Sequence, residues 1–334
     1  MMSIRQRLSG LLLSFACASA AAPAEAPTSY LEGARDFAAE MVSRHGFDGG
    51  EVAALIAQAR FRQDIIDAIR RPWEARPWHE YRSIFLTPER IQAGVRFWQA
   101  HQTTLGRAEE QFGVPPEIIT AIIGVETSYG KSLGRHRVID ALTTLGFSYP
   151  ERSQFFRKEL AEFLLLTRAE GLDALEVNGS YAGAMGMPQF ISSSYRAYAV
   201  DFDGDGRRDL WGSPADAIGS VASYLARHGW RSGEPVVQRA RVREAIPAGM
   251  PVAEKSPRSP EIGIARLKRA GITPVGSLPS AGEVTLVRLE SPEDEYWLGF
   301  ANFYVITRYN HSNLYAMAVF QLSREIKGRY RAAE

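Results

Sequence analysis

Between Pro115 and Gly130 the chain reads PPEIITAIIGVETSYG, and this run constrains the fold more than any other. Ile118, Ile119, Ile122 and Ile123 recur at the spacing of one helix face, and Glu126 falls on that same apolar face. Pro115 and Pro116 suit a helix entrance, Glu117 the positive end of its dipole, and Gly130 its exit. Glu126 is thus expected in the last turn, on the buried side but near an opening. Desolvation by isoleucines disfavours the charged carboxylate and is expected to raise its pKa, the state a general acid needs at neutral pH. The alternative at this point is a structural carboxylate paired with a buried arginine.

A chain of 334 residues with 45% hydrophobic side chains can bury a substantial core in two or three packed units. Its 39 basic and 38 acidic side chains leave a formal charge of +1, which argues against nucleic acid as the main partner. Residues 1 to 22 carry Arg5 and Arg7, then the apolar run Leu8 to Ala16, then Ala18-Ser19-Ala20-Ala21-Ala22. This is the pattern of a bacterial secretory signal cut near Ala20 or Ala22, and no later run is long and apolar enough to span a bilayer. An exported, soluble periplasmic protein is expected. Cys17, the only cysteine, lies inside the signal, so the mature chain can form no internal disulfide. A lipid anchor to the outer membrane through Cys17 is the lesser alternative, since Ser14-Phe15-Ala16 matches a Leu-led lipoprotein signal poorly.

Taken in order, Tyr30 to Ser43, Gly49 to Gln58 and Arg62 to Ile69 show helical spacing. Pro72, Pro77 and Pro88 follow, and Arg76-Pro77-Trp78-His79-Glu80-Tyr81 reads as an extended aromatic stretch that lines a groove or packs as a loop. Ile139 to Leu145 and Arg152 to Glu170 are expected helices, the second with Phe155, Phe156, Leu160, Phe163 and Leu164 on its core stripe. Asp140, Glu151 and Glu159 lie in polar, surface-like patterns, which leaves Glu126 as the one embedded acid.

The run Gly179 to Phe190 is rich in small residues that let a backbone approach a ligand or another segment closely, and Gln189 offers a donor and an acceptor there. Asp201, Asp203 and Asp205 occupy positions one, three and five of a loop with Gly206 at six and Asp209 at nine, the opening of an EF-hand calcium loop. Gly212 stands where the closing Glu is expected, so Asp216, just before a helix from Ala217 to His228, is the candidate closing ligand. A solvated acidic turn is the alternative. Glu234 to Gln238, Val284 to Leu289 and Tyr296 to Gly299 are strand-like, with Ile262 to Ala270 a helix among them. Phe300 to Ile326 returns to helix and carries Tyr309-Asn310-His311, a cluster suited to stacking on sugars or to a buried network.

Together these motifs resemble the membrane-bound lytic transglycosylase B family of peptidoglycan-cleaving enzymes, of the family 103 glycoside hydrolase type, from about Tyr30 to Ala318. The resemblance rests on Gly124-Val125-Glu126-Thr127, Ser180 to Gly186, Gln189-Phe190, the loop from Asp201 to Trp211, Asp216 to Val221 and Thr307 to Ser312. It implies an α+β, mainly α fold with a lysozyme-like core. The expected units are a signal at 1–22, an N-terminal helical domain at 29–104, a catalytic core at 105–232, a small β domain at 233–299 and a returning segment at 300–328. It implies cleavage of the β-1,4 bond between N-acetylmuramic acid and N-acetylglucosamine without water, leaving a 1,6-anhydromuramyl end. By motif, Glu126 is the catalytic acid, Ser180 and Gln189 bind substrate, and Tyr224, Tyr309, Asn310, Tyr315 and Tyr81 line the groove. A structural Ca2+ would sit on Asp201, Asp203, Asp205, the Arg207 carbonyl and Asp216. Glycan strands of peptidoglycan are the implied partner, and partners among cell-wall synthesis or divisome proteins are left unspecified.

Ordinary glycosidases need two carboxylates, although substrate-assisted families exist. One acid suffices here if Glu126 first protonates the leaving oxygen, the substrate's N-acetyl group stabilises the sugar cation, and the carboxylate then takes the C6 hydroxyl proton as that oxygen closes on C1. A hydrolytic muramidase on the same scaffold and a non-catalytic wall-binding protein are the competing expectations.

Overall fold

The computed structural model describes residues 26–71, 76–243, 245–254, 256–278 and 282–332. The expected secretory signal and Cys17 lie outside them. The helical spacings of the N-terminal third close into α1 (Thr28–His45), α2 (Gly49–Ala57), α3 (Gln63–Ile69), α4 (Trp78–Phe85), α5 (Pro88–Ala100) and α6 (Gln102–Phe112). Helix α4 corrects the expected extended stretch. Pro77 does not break structure there; it supplies the N-cap, where its missing N–H leaves nothing unsatisfied. Trp78 and Tyr81 point inward and are buried.

Helix α7 (Pro116–Thr127) starts as its sequence predicts, with Pro115 as N-cap and Pro116 in the first turn. It is not amphipathic in its setting. Every residue except Glu126 is buried, because neighbouring helices enclose it from all sides. It ends at Thr127, earlier than Gly130, with Ser128 as a left-handed cap.

Strand β1 (His136–Arg137) and helix α8 (Val138–Ser148) follow, then a short 3-10 turn and α9 (Ser153–Glu170). Strand β2 (Asn178–Gly179) pairs antiparallel with β1, and α10 (Ser192–Tyr198) and α11 (Pro214–Arg227) complete this part. Helices α1 and α3 pack on α8, so N-terminal and central helices share one continuous core.

Beyond it lie β3 (Val237–Val242), β4 (Val252–Ala253), β5 (Ile262–Gly263), α12 (Ile264–Arg269), β6 (Ile272–Pro274), β7 (Glu283–Leu289) and β8 (Glu295–Gly299). The strand order is β4-β7-β8-β3-β6, with β5 also paired to β7. The expected helix from Ile262 therefore opens with two strand residues, and the first strand starts three residues later than Glu234. The period of two in β7 explains the docking of this sheet. Val284 and Leu286 point into a small core with Ile262, Leu267 and Leu298, whereas Val287 and Leu289 point into the helical core.

Helices α13 (Ala301–Tyr309) and α14 (Asn313–Ala332) return to the bundle, where α14 packs along α7 and α5. Lys327 Nζ of α14 pairs with Glu117 in the first turn of α7 at 2.5 Å. No helix among the described residues is long and apolar enough to cross a membrane.

Candidate active site

Glu126 is the one residue of α7 that is not buried; it is half-buried. Tyr315, in the first turn of α14, donates its hydroxyl to Glu126 Oε1 at 2.6 Å. The Tyr315 ring lies nearly parallel to that of Tyr309, with centroids 6.3 Å apart. Tyr309 in turn donates to the carbonyl of Pro188 at 2.7 Å, which ties it to the loop that carries Gln189. Burial pushes both phenols well above their ordinary value, and the negative charge of Glu126 adds to the shift in each. Both therefore stay protonated and able to donate.

The small-residue run folds back on itself. Ser180 N donates to Ala184 O at 2.8 Å, while Ser180 Oγ accepts from the amides of Ala182 and Ala184. Met185 and Phe190 exchange backbone hydrogen bonds. Gly186 sits at φ +68°, and a Cβ there would lie 2.6 Å from the carbonyl oxygen of Leu210, so no other residue fits. Gln189 adopts φ +51° and donates Nε2 to Gly186 O and Leu133 O, which anchors its side chain across the turn. Thr127 Oγ1 bridges the two segments by donating to Met187 O and accepting from Gly130 N.

The structure thus brings Glu126, Tyr315, Tyr309 and the Gln189 loop together through a chain of direct contacts. Ser180 stands at the other end of that loop, half-buried. Asn310 is half-buried at the break between α13 and α14, where its carbonyl accepts from Ser312 N. Tyr224 is placed differently. It is buried behind Tyr309, stacked on His228 with centroids 4.0 Å apart, and its hydroxyl donates to Arg308 O. Tyr81 is also buried, packed on Trp78 and Phe85. Both are buried, Tyr224 against Tyr309 and Tyr81 close enough to Tyr315 to add to the rise of its phenol.

Two acids expected at the surface are buried instead. Asp140 is held by Arg137 through both oxygens and also accepts from Arg60 N. Glu159 accepts from the amide and hydroxyl of Ser193, at the start of α10; burial raises its pKa and these bonds oppose the rise. Glu126 differs from them in facing solvent.

In the acidic loop, oxygens of Asp201, Asp203 and Asp205 lie within 4.8 Å of one another at the surface. Asp201 accepts from the amides of Gly204 and Gly206, Asp203 from Asp205, and Asp205 from Arg207, an arrangement that shapes the loop around the three carboxylates. Asp216 does not join them. It is buried, with Oδ1 accepting from Phe202 N and Oδ2 from Asp209 N, and so braces the loop from beneath.

Two residues of the site were not singled out from sequence. Arg90 in α5 donates to the carbonyl of Gly124, and Tyr129 donates to that of Arg90. Arg90 reads locally as an ordinary first-turn residue, and its partner lies 34 positions away.

The family profile described as Transglycosylase SLT domain matches residues 30–324. The membrane-bound lytic murein transglycosylase B of Escherichia coli (strain K12) is 43% identical over 304 residues, covering 88% of this chain and 82% of that protein. The structure of soluble lytic transglycosylase SltB1 from Pseudomonas aeruginosa superposes with a TM-score of 0.82 at 49% identity, covering 92% of this chain and all of that one. The Escherichia coli lytic transglycosylase Slt35, solved in complex with calcium, gives 0.81 at 43% identity, over 90% and 94% of the two chains.

Proposed function

Given that the chain belongs to the SLT-domain transglycosylase family and is a lytic murein transglycosylase, we propose that Glu126 alone carries its acid and base chemistry on peptidoglycan. The observation that carries this is the exposure of one carboxylate at the end of an otherwise buried helix, held at one oxygen by Tyr315. Held in this way, the protonated Glu126 carboxyl is the acid that begins the reaction.

That proton passes to the leaving glycosidic oxygen as the bond from C1 of N-acetylmuramic acid breaks, and the substrate's N-acetyl group stabilises the sugar cation. The carboxylate so formed keeps the Tyr315 hydrogen bond, which is stronger to an anion than to a neutral acid. It then takes the proton of the C6 hydroxyl while that oxygen bonds to C1. The products are a 1,6-anhydromuramyl end and a free N-acetylglucosamine hydroxyl, with no water consumed. Ser180, Gln189, Tyr309 and Asn310 hold the glycan around this acid.

Three exposed carboxylates crowded into one loop repel one another unless a cation lies between them, and an all-oxygen donor set suits Ca2+. Asp201, Asp203, Asp205 and the Arg207 carbonyl would hold it, with Asp216 as brace and not as ligand. Bound calcium would offset most of the charge of the three carboxylates and order the loop. Residues 1–22 direct export to the periplasm.

Replacing Glu126 with Gln tests the central assignment. Binding to purified sacculi persists, and release of anhydro ends, read by mass spectrometry as products one water lighter than reducing ends, stops. Turnover retained by Glu126→Gln overturns the assignment.

A further inference from the structure

At the last turn of a helix the carbonyls run short of partners and can take a side-chain donor, and in α7 those next to Glu126 do so. The carbonyl of Gly124 accepts from Ser128 N at 3.1 Å and also from Arg90 Nη1 at 2.7 Å; the carbonyl of Val125 lies 3.5 Å from the same nitrogen. The Arg90 guanidinium, half-buried, thus sits against the carbonyl of Gly124, two residues before Glu126, with that of Val125 at the edge of its reach.

The connection closes on itself. Tyr129, three residues after Glu126, sends its hydroxyl back to the carbonyl of Arg90 at 3.0 Å. Its path runs between α5 and α7 through a slot that only glycines leave open, since a Cβ on either Gly94 or Gly124 would lie 2.5 Å from Tyr129 Oη. To make this return, Ser128 and Tyr129 both adopt left-handed backbone, at φ +51° and +64°, although neither is glycine. Strained conformations of this kind persist where the surrounding contacts over-determine them. Burial raises the Tyr129 phenol, which keeps it a donor.

We propose that Arg90 and Tyr129 are positioning residues for catalysis: a closed clamp, running from α7 through Tyr129 to Arg90 and back to the Gly124 and Val125 carbonyls, that fixes the carboxylate of Glu126 for both proton transfers. This rests on Glu126 being the catalytic acid. The clamp acts in two ways. It holds the terminal turn against the sliding that would misplace the carboxylate, and small misplacements of reacting groups reduce rates steeply. It also sets a fixed positive charge at the negative end of the helix dipole, where a cation is favoured. A lysine would restore the charge but not the planar fork of donors.

The test compares Arg90→Met, Arg90→Lys, Tyr129→Phe and Glu126→Gln, with kcat, KM, the pH profile of kcat and thermal stability measured for each. Arg90→Met is expected to lower kcat at least tenfold with KM within twofold, and to move the pH profile upward, because the Gly124 and Val125 carbonyls beside Glu126 then lose the cation that offsets their negative charge. Arg90→Lys recovers most of the profile but only part of kcat. Tyr129→Phe, which keeps the ring and loses the donor, lowers kcat about threefold with the profile unmoved. A kcat for Arg90→Met within twofold of the parent, or a loss that tracks thermal stability with the pH profile unchanged, overturns the clamp. If Arg90→Met fails to fold, Arg90→Lys and Tyr129→Phe decide: parental kcat in both overturns the proposal. Glu126→Gln separates the two ideas, since an active Glu126→Gln removes the acid assignment itself, whereas an inactive one beside a normal Arg90→Met removes only the clamp.

Discussion

Removing the Tyr315 hydroxyl isolates one interaction with the acid. In Tyr315→Phe the ring still fills its buried site against Tyr309, while the 2.6 Å hydrogen bond to Glu126 Oε1 is gone. A hydrogen bond to a charged group contributes about 1.5–3 kcal/mol. That bond is strongest when Glu126 is ionised, after the first proton transfer, so its loss falls on the developing transition state. At roughly 1.4 kcal/mol per tenfold this is about 10- to 150-fold in kcat as an upper bound, because the weaker bond to the neutral acid is lost as well. Because Glu126 is half-buried, water takes over part of the vacated place and the lower end of this range is expected. Release of anhydro-muropeptides from purified sacculi, followed by chromatography with mass detection, gives the rate, and a melting curve confirms the fold. A kcat within twofold of the parent would show that Tyr315 does not support the acid and would refute the reasoning.

Further outcomes follow from other parts of the molecule. Chelation should lower the melting temperature and Ca2+ should restore it, since a ligand at a hundred times its Kd adds about 2.7 kcal/mol of stability; an unchanged melting curve removes the calcium site. Asp140→Ala leaves Arg137, a quarter exposed, without its carboxylate and should destabilise the fold by about 2–3 kcal/mol, measurable by urea denaturation; a change below about 0.5 kcal/mol would contradict this. The raised phenols of Tyr309 and Tyr315 keep protons that the unfolded chain releases near pH 10, so their contribution to stability is present below that value and is lost as pH rises above it. Melting temperatures recorded from pH 8 to 11 should therefore fall less steeply at the alkaline end in Tyr315→Phe than in the parent.

Much of the fold was legible because it is written in short-range pattern. The helices at Thr28–His45, Gly49–Ala57 and Ser153–Glu170 follow apolar spacing, and Glu126 stood out as a charge where the pattern asks for a leucine. What escaped depends on distant partners. Asp140 and Glu159 look like surface acids until Arg60 N, 80 residues away, and Ser193, 34 residues away, arrive to satisfy them. Asp216 fitted the spacing of a closing ligand, yet three backbone amides of its own loop claim its oxygens first. Pro77 was misleading because a proline before a helix and a proline that breaks one look alike without knowing where the N-cap falls.

Glu126 and Tyr315 meet across 189 positions of chain. The carboxylate is therefore made long before its companion, and a polypeptide cut short ahead of Tyr315 has the acid without the hydroxyl that steadies it. The end of α7 thus reaches its full setting only once the last helix of the chain has docked along it.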